Sequence, residues 1–596
     1  MLPPSNASSV QKVGQLLSLV WRLAAKHRRL QLGYLALLVC AQCISLCQPL
    51  VVGAMLNAVQ ESPGGPALWP RLWPLLALFF GVEFGFWAFH FPARVLERTL
   101  AFHVRVAFRE ELTRAVCELP VPWHRRHHSG ETIDQVGKAA LALHEFSANS
   151  FLLVYLVLRL IGPVVLLALL SPEAALVAFL AAAVAMAAVF RFDRVLFEQY
   201  RLINSTENTV ASAVQDFFTN ILTVISLRLE TQVVTEVVRR SMRPFPVMRR
   251  NFVLNEAKWF LVSMLVAGMA VVVLGTHASV TLAAGGTLLA GTFFKLVEYL
   301  RRVGDSFYQL AASWSLTLRQ SADVYGALHI LEAHAALERL SGPARLPDGW
   351  RRLELSGLSF VHDDETRRTH HLREVSLALE RGKMVALVGE SGSGKSTLLG
   401  VLRGLHQASG GRVVCDGVEV PHGLRAVAKV ATLFPQEPEI FSDSVRFNVT
   451  FGVETDDGRI HAALEAARFD AVLARLPRGL DTNVAEKGVN LSGGERQRLA
   501  LARGLHFASG SEVLLLDEAT SSVDAVNEQD IYRRLKASLG DRCLLATIHK
   551  LHLLEHFDLV YVLGDGEILG RGTVASLKAS LPEFRRMWEA AASAAS

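Results

Sequence analysis

The sequence predicts two regions of different fold class: an all-α membrane region with six spanning helices, and after it a soluble α/β domain. Hydrophobic residues make up 51% of the 596 residues and charged residues only 20%, and the mean hydropathy is positive, so the chain is too apolar for an ordinary soluble protein. The long apolar segments all precede residue 301. After them, short apolar runs alternate with turn residues, as in α/β domains.

Six apolar segments come close to the length of about 20 residues that crosses a bilayer as a helix. The first 30 residues carry Lys and Arg and no acid, and the apolar stretch after them is too long for a cleaved signal peptide. We therefore expect this stretch to be retained as the first span. The predicted spans are 31–59, 72–91, 151–170, 174–190, 259–275 and 281–300.

The connections between the spans differ in charge. Two long helical loops, about 92–150 and 191–258, are rich in Arg and Lys, whereas the short connections 60–71, 171–173 and 276–280 are not. Because basic loops remain in the cytoplasm, we expect a multi-pass protein of the bacterial inner membrane with both termini and the α/β domain in the cytoplasm. This orientation explains much of the formal net charge of +5. Without a strongly basic domain, we expect no nucleic-acid partner.

The pattern divides the chain into four parts. Residues 1–30 form an N-terminal cytoplasmic segment and residues 31–325 the membrane region. A polar stretch with Gly and Pro over 326–350 is predicted to be a linker, and residues 351–590 form the α/β domain.

Four ionisable residues fall inside predicted spans: Glu83, Arg159, Lys295 and Glu298. Charged side chains in a membrane face the interior of the helix bundle or a wet cavity. One interpretation is a polar path for a transported solute. The other is internal pairing, for example between Lys295 and Glu298, or extension of the side chains towards the interface. The sequence leaves both open.

A phosphate-binding loop follows a buried strand of the α/β domain. The apolar run 384–388 leads into Gly-Glu-Ser-Gly-Ser-Gly-Lys-Ser-Thr and then an apolar helix. Glycines let the backbone N–H groups point at phosphates, the lysine reaches the terminal phosphates and the first hydroxyl after it suits Mg²⁺. We expect a P-loop NTPase domain that binds ATP and Mg²⁺. The predicted nucleotide-binding residues are Gly389, Glu390, Ser391, Gly392, Ser393, Gly394, Lys395, Ser396 and Thr397.

Two carboxylates end a second buried strand. The apolar run 513–516 leads into Asp517 and Glu518, at the carboxyl edge of a parallel sheet and beside the phosphates. Asp517 is predicted to hold Mg²⁺ through water, together with Ser396. Glu518 is predicted to polarise the water that attacks the terminal phosphate.

Between these motifs lies Leu-Ser-Gly-Gly-Glu-Arg-Gln-Arg, residues 491–498. This run resembles the signature sequence of the ATP-binding cassette of ABC transporters. The resemblance implies that Ser492, Gly493, Gly494 and Glu495 contact the γ-phosphate of an ATP held by a second cassette. Glu495 stands where the family more often has Gln. Because serine and backbone make the phosphate contacts, we expect this change to tune activity without abolishing it.

Further cassette elements resemble those of the family, in the same order. Gln436 matches the glutamine that senses Mg²⁺, and Asp524 ends a Ser-Ser-Val-Asp loop that crosses to the partner cassette. His549 matches the switch histidine that contacts the γ-phosphate. The resemblance thus implies that Glu518, His549 and Gln436 are catalytic. His362 aligns with the aromatic residue that stacks on adenine, usually Tyr, and offers a smaller ring.

The resemblance covers nearly the whole chain, because six spans before one cassette is the layout of exporter-type half-transporters. Residues 482–488 look like an exporter motif that contacts the cytoplasmic loops, and residues 120–131 fall where the family places its first coupling helix. The resemblance implies an ATPase coupled to transport, working by alternating access as a dimer of half-transporters. Intact catalytic positions favour a homodimer in membrane lipid.

Several questions stay open at the level of sequence. No motif names the transported solute, although intramembrane Arg159 and Lys295 favour an amphipathic or anionic one, such as a lipid, peptide, drug or conjugated metabolite. An importer built on the exporter fold, as in siderophore uptake, is the main alternative. A nucleotide-gated channel or regulator is a second alternative, which the intact Asp517, Glu518 and His549 argue against.

Overall fold

The computed structural model describes residues 9–61, 68–149, 151–340, 344–364, 367–484 and 491–595. They divide into two compact units. One is helical and ends at Glu338, and the other is an α/β unit that comprises the residues from Arg339 onward and is grouped with the short segment Pro120–Trp123. The helices before this division are α1 (Ser9–Leu23), α2 (Arg28–Leu46), α3 (Gln48–Glu61), α4 (Leu68–Glu118), α5 (Val121–Arg126), α6 (Ser129–Ala148), α7 (Phe151–Leu170), α8 (Pro172–Thr219), α9 (Ile221–Ser226), α10 (Glu230–Met242), α11 (Phe245–Ala283) and α12 (Ala290–Leu340).

Four helical stretches among the described residues are long and apolar enough to cross a membrane. They are Ala25–Glu61, Leu68–Glu118, Ala175–Thr219 and Glu230–Ala283. They contain the predicted first, second and fifth spans and nearly all of the fourth. The predicted third span is α7, which lies directly before the acidic Ser-Pro-Glu connection. Its described apolar part, Val157–Leu169, is shorter than those of the other four.

The predicted sixth span, 281–300, is wrong in its first half. Helix α11 continues through 276–280, because this segment contains neither Gly nor Pro and its hydroxyls bond to carbonyls of the preceding turn, as Ser279 does to Gly275 at 2.9 Å. The helix ends before Gly285, which adopts a φ of 72° that favours glycine. The helix in the place of the predicted sixth span is α12, which begins at Ala290 and runs through 326–340, residues that the sequence assigned to the linker.

Helices α3 and α12 approach closely at a pair of glycines. A Cβ added to Gly291 would lie 1.8 Å from the carbonyl oxygen of Gly53, and one added to Gly53 would lie 2.7 Å from the carbonyl oxygen of Gly291. Small residues let membrane helices pack backbone to backbone. This contact fixes the start of α12 against the first span.

The α/β unit contains ten strands among its described residues. They are β1 (Arg352–Asp364), β2 (Arg367–Glu380), β3 (Met384–Val388), β4 (Gly410–Cys415), β5 (Val418–Glu419), β6 (Ala431–Phe434), β7 (Val513–Asp517), β8 (Cys543–Thr547), β9 (Leu559–Gly564) and β10 (Glu567–Gly572). Its helices are α13 (Lys395–Arg403), α14 (Gly423–Val430), α15 (Val445–Thr450), α16 (Asp457–Ala466), α17 (Asp470–Leu473), α18 (Gly493–Phe507), α19 (Ala525–Ser538), α20 (Val574–Ser580) and α21 (Pro582–Ala595).

Two sheets organise these strands. The smaller one has the antiparallel order β2-β1-β4-β5, and the larger one has the order β10-β9-β3-β8-β7-β6, in which only the β9–β10 pair is antiparallel. Strand β3 is buried on both faces: Met384, Ala386 and Val388 pack in one core, while Val385 and Leu387 pack in the other. The parallel order brings the carboxyl ends of β3, β7 and β8 to one edge, which positions the candidate site.

Candidate functional site

The phosphate-binding loop joins β3 to α13. Gly392 and Gly394 adopt φ values of 83° and 100°, which favour glycine. At Gly389 a Cβ would lie 2.1 Å from the carbonyl oxygen of Leu563, so the loop tolerates no side chain there. Ser393 is buried, Thr397 is half-buried, and Glu390, Ser391 and Ser396 are exposed. The loop therefore has the tight turn that the sequence predicts.

Lys395 folds back over this loop. Its ammonium group donates to the carbonyl oxygens of Gly389 at 2.9 Å and Glu390 at 2.8 Å, and lies 3.4 Å from the hydroxyl of Ser393. Burial lowers the pKa of Lys395, and the nearby carboxylates of Glu518 and Asp517 only partly oppose this effect. An anion at the loop would stabilise the charged ammonium group that burial disfavours.

Ser396 and Asp517 meet although 121 residues separate them. The Ser396 hydroxyl donates to Asp517 Oδ1 at 2.9 Å, and the Thr547 hydroxyl donates to the same oxygen at 3.0 Å. Burial raises the pKa of Asp517, while these two hydrogen bonds lower it in part. A hydroxyl and one carboxylate fit Mg²⁺, which takes few protein oxygens and completes its shell with water and phosphate.

Glu518 lies between the other two predicted catalytic side chains. Gln436 Nε2 donates to Glu518 Oε2 at 2.9 Å, and His549 Nε2 lies 2.6 Å from Glu518 Oε1. The backbone N–H of Glu518 donates to the hydroxyl of Thr547 at 2.8 Å. Its φ is 46°, in the left-handed region. The fold thus brings together Gln436, Glu518 and His549, which the sequence predicts separately.

The signature sequence begins α18. Ser492 caps the helix: its hydroxyl accepts from the N–H of Glu495 at 3.3 Å, and Glu495 Oε2 accepts from the N–H of Ser492 at 2.8 Å, a complete capping box. Glu495 Oε1 accepts from Arg475 at 2.5 Å. Burial opposes ionisation of Glu495, but these hydrogen bonds outweigh it and lower its pKa. A Cβ on Gly494 would lie 2.7 Å from the Ser522 carbonyl oxygen, so this position requires glycine.

Gln497 connects the signature helix to two other predicted segments. It is 4% exposed, donates to the Ser521 hydroxyl at 2.9 Å and accepts from the Ser522 N–H at 2.7 Å. Its amide also donates to the carbonyl oxygen of Gln436 at 3.4 Å. The sequence motifs give no role to Gln497, Thr547 or Arg475. What identifies Gln497 is its burial in the structure, because a buried amide side chain needs hydrogen-bond partners.

Of the remaining predicted residues, the structure describes Asp524 completely but the others only in part. Asp524 caps α19: it accepts hydrogen bonds from the side chain of Asn527 at 2.8 Å and from the backbone N–H of Asn527 at 3.0 Å. The side-chain hydrogen bond makes the larger contribution to lowering the pKa of Asp524, and the backbone hydrogen bond adds to it. His362 pairs with Thr369 in the β1–β2 ladder, but its side chain lies outside what the structure describes. Of the predicted exporter motif 482–488, residues 485–488 also lie outside the described residues.

The charged residues of the membrane region form a connected set that we call the intramembrane polar chain: Glu83, Gln48, Arg302, Glu298 and Arg301. Gln48 Nε2 donates to Glu83 at 2.6 Å, and Gln48 Oε1 accepts from Arg302 at 2.6 Å. Glu298 accepts from Arg302 at 3.1 Å and from Arg301 at 2.8 Å. Glu298 is thus paired internally, which is one of the two interpretations that the sequence leaves open, but its partners are Arg301 and Arg302 one turn further along α12 rather than Lys295.

A break in the first span explains why Arg302 lies there. Pro49 has no N–H to donate to the carbonyl of Ser45 one turn earlier, and α2 gives way to α3 at this point. Arg302 donates to the Ser45 carbonyl at 2.9 Å, and the Tyr299 hydroxyl donates to that of Leu46 at 3.1 Å. Side chains of α12 therefore satisfy carbonyls that the break leaves short of partners.

Arg159 and Lys295 do not belong to this set. Arg159 donates to the hydroxyl of Tyr155 one turn earlier, and its guanidinium carbon lies 5.1 Å from the centre of that ring. Within the described part of the chain, Lys295 makes no ion pair, and its stem lies beside Gly53. Both cations are half-buried.

Family models match both regions of the chain. The model described as the ABC transporter transmembrane region matches residues 32–302, and the model described as the ABC transporter matches residues 372–521. Together the two matches cover more than half of the chain, in the order predicted from the sequence.

Curated relatives resemble the chain over part of their length. An ATP-dependent lipid A-core flippase of Pseudomonas aeruginosa is 38% identical over 42% of this chain and 40% of its own length. The mycobactin import ATP-binding/permease protein IrtB of Mycolicibacterium smegmatis is 40% identical over 40% of each chain. The ABC-type transmembrane transporter verA of Clonostachys rogersoniana is 27% identical over 98% of this chain. The chain spans less than half the length of these three relatives.

A solved structure has the same fold. A bacterial Atm1-family ABC exporter with ATP bound superposes with a TM-score of 0.79, covering 95% of this chain and 99% of the exporter at 20% identity. This agreement extends over the membrane region and the cassette. The chain therefore belongs to the ABC transporter superfamily, as an integral membrane protein that joins a transmembrane region and an ATP-binding cassette in one exporter-type polypeptide.

Proposed function

We propose that this protein is an ATP-driven transporter that exports an amphipathic solute as a dimer. One observation carries the proposal: the carboxylate of Glu518 is held by Gln436 and His549, beside the phosphate-binding loop, in a chain that also has membrane-spanning helices. A cassette that had lost catalysis would have no reason to keep this arrangement. The intact arrangement of Gln436, Glu518 and His549 favours ATP hydrolysis over a purely regulatory role.

The cassette residues divide the work of hydrolysis. The N–H groups of the loop and Lys395 hold the phosphates, and the strain of a buried ammonium group is relieved when the anion arrives. Glu518 accepts a hydrogen bond from the attacking water and so polarises it, while His549 and Gln436 orient the carboxylate. Ser396, Asp517 and Gln436 would hold Mg²⁺, which when bound neutralises charge on the phosphates.

Two cassettes are needed for one complete site. Within one cassette the signature begins α18 and the phosphate-binding loop begins α13, and the family mechanism has each of them act on a different ATP. We infer a head-to-tail dimer with two ATP molecules between the cassettes. Because the predicted catalytic side chains are present in this one chain, a homodimer supplies two equivalent sites.

Transport follows from a difference in affinity. If ATP binds the closed pair of cassettes more tightly than the open pair, binding shifts the population towards the closed state, and hydrolysis restores the open one. The membrane region then alternates between cavities open to either side. We place the protein in the bacterial inner membrane, with the cassettes and both termini in the cytoplasm, because the long loops are basic.

The cargo is an amphipathic molecule with an anionic group. Arg159 and Lys295 support this assignment, because both are half-buried cations outside the intramembrane polar chain. A relative named as a lipid A-core flippase fits a lipid cargo. A second candidate is import of a siderophore-like molecule on the same fold, which the relative named as a mycobactin importer favours.

The test is transport and ATP turnover by the purified chain in proteoliposomes, with the cassettes facing outward. A panel of lipids, peptides and siderophores is screened for stimulation of ATP hydrolysis, and stimulating solutes are then followed across the membrane. Accumulation inside the vesicles means export, and loss from preloaded vesicles means import. Passive flux with ATP turnover indifferent to every solute would reject a pump. Loss of stimulation in Lys295→Ala, with basal turnover kept, would assign the anion contact to Lys295.

A further inference from the structure

The signature helix carries a negative charge at the end where a phosphate is proposed to bind. Glu495 is the third residue of α18, and its carboxylate is held within one turn of Ser492, Gly493 and Gly494. This inference rests on the proposed function, in which that helix end faces the γ-phosphate of ATP on a partner cassette. A carboxylate and a triphosphate repel each other, so the fold has to offset this charge.

Arg475 is the residue that meets this charge. It donates to Glu495 Oε1 at 2.5 Å, while the other carboxylate oxygen accepts from the backbone N–H of Ser492. The Glu495 side chain is 16% exposed and that of Arg475 is 68% exposed, so the guanidinium group covers the carboxylate from the solvent side. Arg475 lies in the segment between α17 and α18, outside the signature sequence itself.

Arg496 and Arg498 also lie near the start of α18, but neither forms an ion pair with Glu495 among the described residues. Arg498 donates to the carbonyl oxygen of Arg468 at 2.7 Å and to that of Gly494 at 3.3 Å. It lies close enough to Glu495 and Asp524 to interact with both charges, but it forms no direct bond with either among the described residues. Arg475 is thus the direct cationic partner of Glu495 in this part of the structure.

The capping geometry also prepares Ser492 as a donor. Its hydroxyl oxygen accepts the N–H of Glu495, which leaves the hydroxyl proton free to point away from the helix. This geometry depends on Glu495 staying in the capping box, and Arg475 holds the far oxygen of the same carboxylate. Loss of Arg475 would leave the carboxylate free to turn towards an incoming phosphate.

We propose that Arg475 is a positioning residue for ATP: it fixes Glu495 as the cap of Ser492 and offsets its negative charge, so that the signature accepts the γ-phosphate of the partner's ATP. Glu495 and Arg475 therefore act as a pair. Glu495 without Arg475 repels the nucleotide, whereas a neutral residue at 495 makes Arg475 dispensable.

The test measures nucleotide affinity of the full-length dimer in nanodiscs, in a Glu518→Gln background that removes turnover from the readout. Closure of the two cassettes is followed by energy transfer between labels while ATP is titrated. We expect Arg475→Gln to raise the half-closing ATP concentration about tenfold, a typical effect of one charge partner, and to leave ADP binding unchanged because ADP lacks the γ-phosphate. Arg475→Lys keeps the charge and should restore most of the affinity.

Three comparisons separate this role from a structural one. Adding Arg475→Gln to a Glu495→Gln chain should have no further effect. The loss in Arg475→Gln should shrink at high ionic strength, where charge repulsion is screened. Arg478→Gln removes an equal charge from an exposed residue three positions away and should leave the titration unchanged.

The proposal fails if Arg475→Gln closes at the wild-type ATP concentration, if it weakens ATP and ADP alike, or if its effect persists in the Glu495→Gln chain. The proposed function fails by a different observation, the absence of ATP hydrolysis by the wild-type chain. The affinity titration contains no turnover and decides the role of Arg475 in either case.

Discussion

The cassette and the membrane region both bury charged side chains, but they arrange them differently. In the cassette, Lys395, Asp517 and Glu518 are held by carbonyls, hydroxyls and the side chains of Gln436 and His549, and they converge on one sheet edge. In the membrane region, Glu298 and Arg302 neutralise each other, and Gln48 links them to Glu83. The first arrangement leaves charge for a ligand to complete, whereas the second is complete by itself.

This difference indicates what a substitution should disturb in each region. Removing a cassette carboxylate should change the rate of a reaction more than the stability of the fold. Removing one member of the intramembrane polar chain should leave a buried charge without its partner and destabilise the fold.

The largest expected effect is on the rate. Glu518→Gln keeps the shape and the contact with Gln436 but cannot polarise water, so ATP turnover should fall by a factor of about 10² to 10⁴. Phosphate release by the purified protein measures the turnover, and unchanged thermal unfolding serves as the control. Retained turnover in a folded, ATP-binding variant would remove Glu518 from the assigned role.

The next effect is on the fold of the membrane region. Arg302→Met leaves Glu298 short of its buried partner and should lower the free energy of unfolding by about 3 kcal/mol, measured by denaturation in mixed micelles. Arg301→Met is the matched control: Arg301 contacts the same carboxylate, but its side chain is 58% exposed, so the cost should stay below about 1 kcal/mol. Equal losses in the two variants would contradict the importance of burial.

A smaller effect is expected where a neutral buried side chain joins cassette segments. Gln497→Ala removes the acceptor for the Ser522 N–H and the donor to the Ser521 hydroxyl, and should destabilise the cassette by about 1–3 kcal/mol. Gln497→Glu keeps the acceptor and should lose less. Thermal unfolding followed by tryptophan fluorescence gives both values, and an unchanged transition in Gln497→Ala would show that other contacts hold these loops.

The smallest effect depends on pH. The pKa of Asp524 is lower in the folded cassette than in the unfolded chain, so its cap stabilises the fold above the unfolded pKa and is lost as the pH falls through the folded value. Asp524→Ala should cost about 1 kcal/mol at neutral pH, and less in acid. Asp524→Asn keeps a pH-independent cap. A constant difference between Asp524→Ala and wild type across a pH series would contradict this account.

Short-range features of the cassette are predictable because adjacent residues determine them. The buried run before the loop, its glycines and the apolar helix after it predict β3, the turn and α13 together. The carboxyl edge of a parallel sheet likewise predicts where Asp517 lies. What the sequence does not reveal is that Gln436 and His549 contact the same carboxylate, because 82 residues separate Gln436 from Glu518.

The membrane region is less predictable for a physical reason. Lys295, Arg301 and Arg302 all stand three or four residues from Glu298, so spacing along one helix cannot choose its partner. The choice depends on Ser45 in α2 and Gln48 in α3, both of which accept hydrogen bonds from Arg302. The turn before α12 is missed because hydroxyl side chains in 276–280 look polar but bond within the helix.

The backbone of Glu518 affects how experiments on this residue can be interpreted. At a φ of 46°, any side chain with a Cβ costs conformational energy that glycine would avoid. Truncation to Gly therefore removes the carboxylate and relaxes the chain at once, while a β-branched replacement adds crowding to the chemical loss. Only replacements of equal shape, such as Gln, separate the loss of the carboxylate from the change in backbone energy. A survey of all substitutions at Glu518 would combine these two effects in every measured rate.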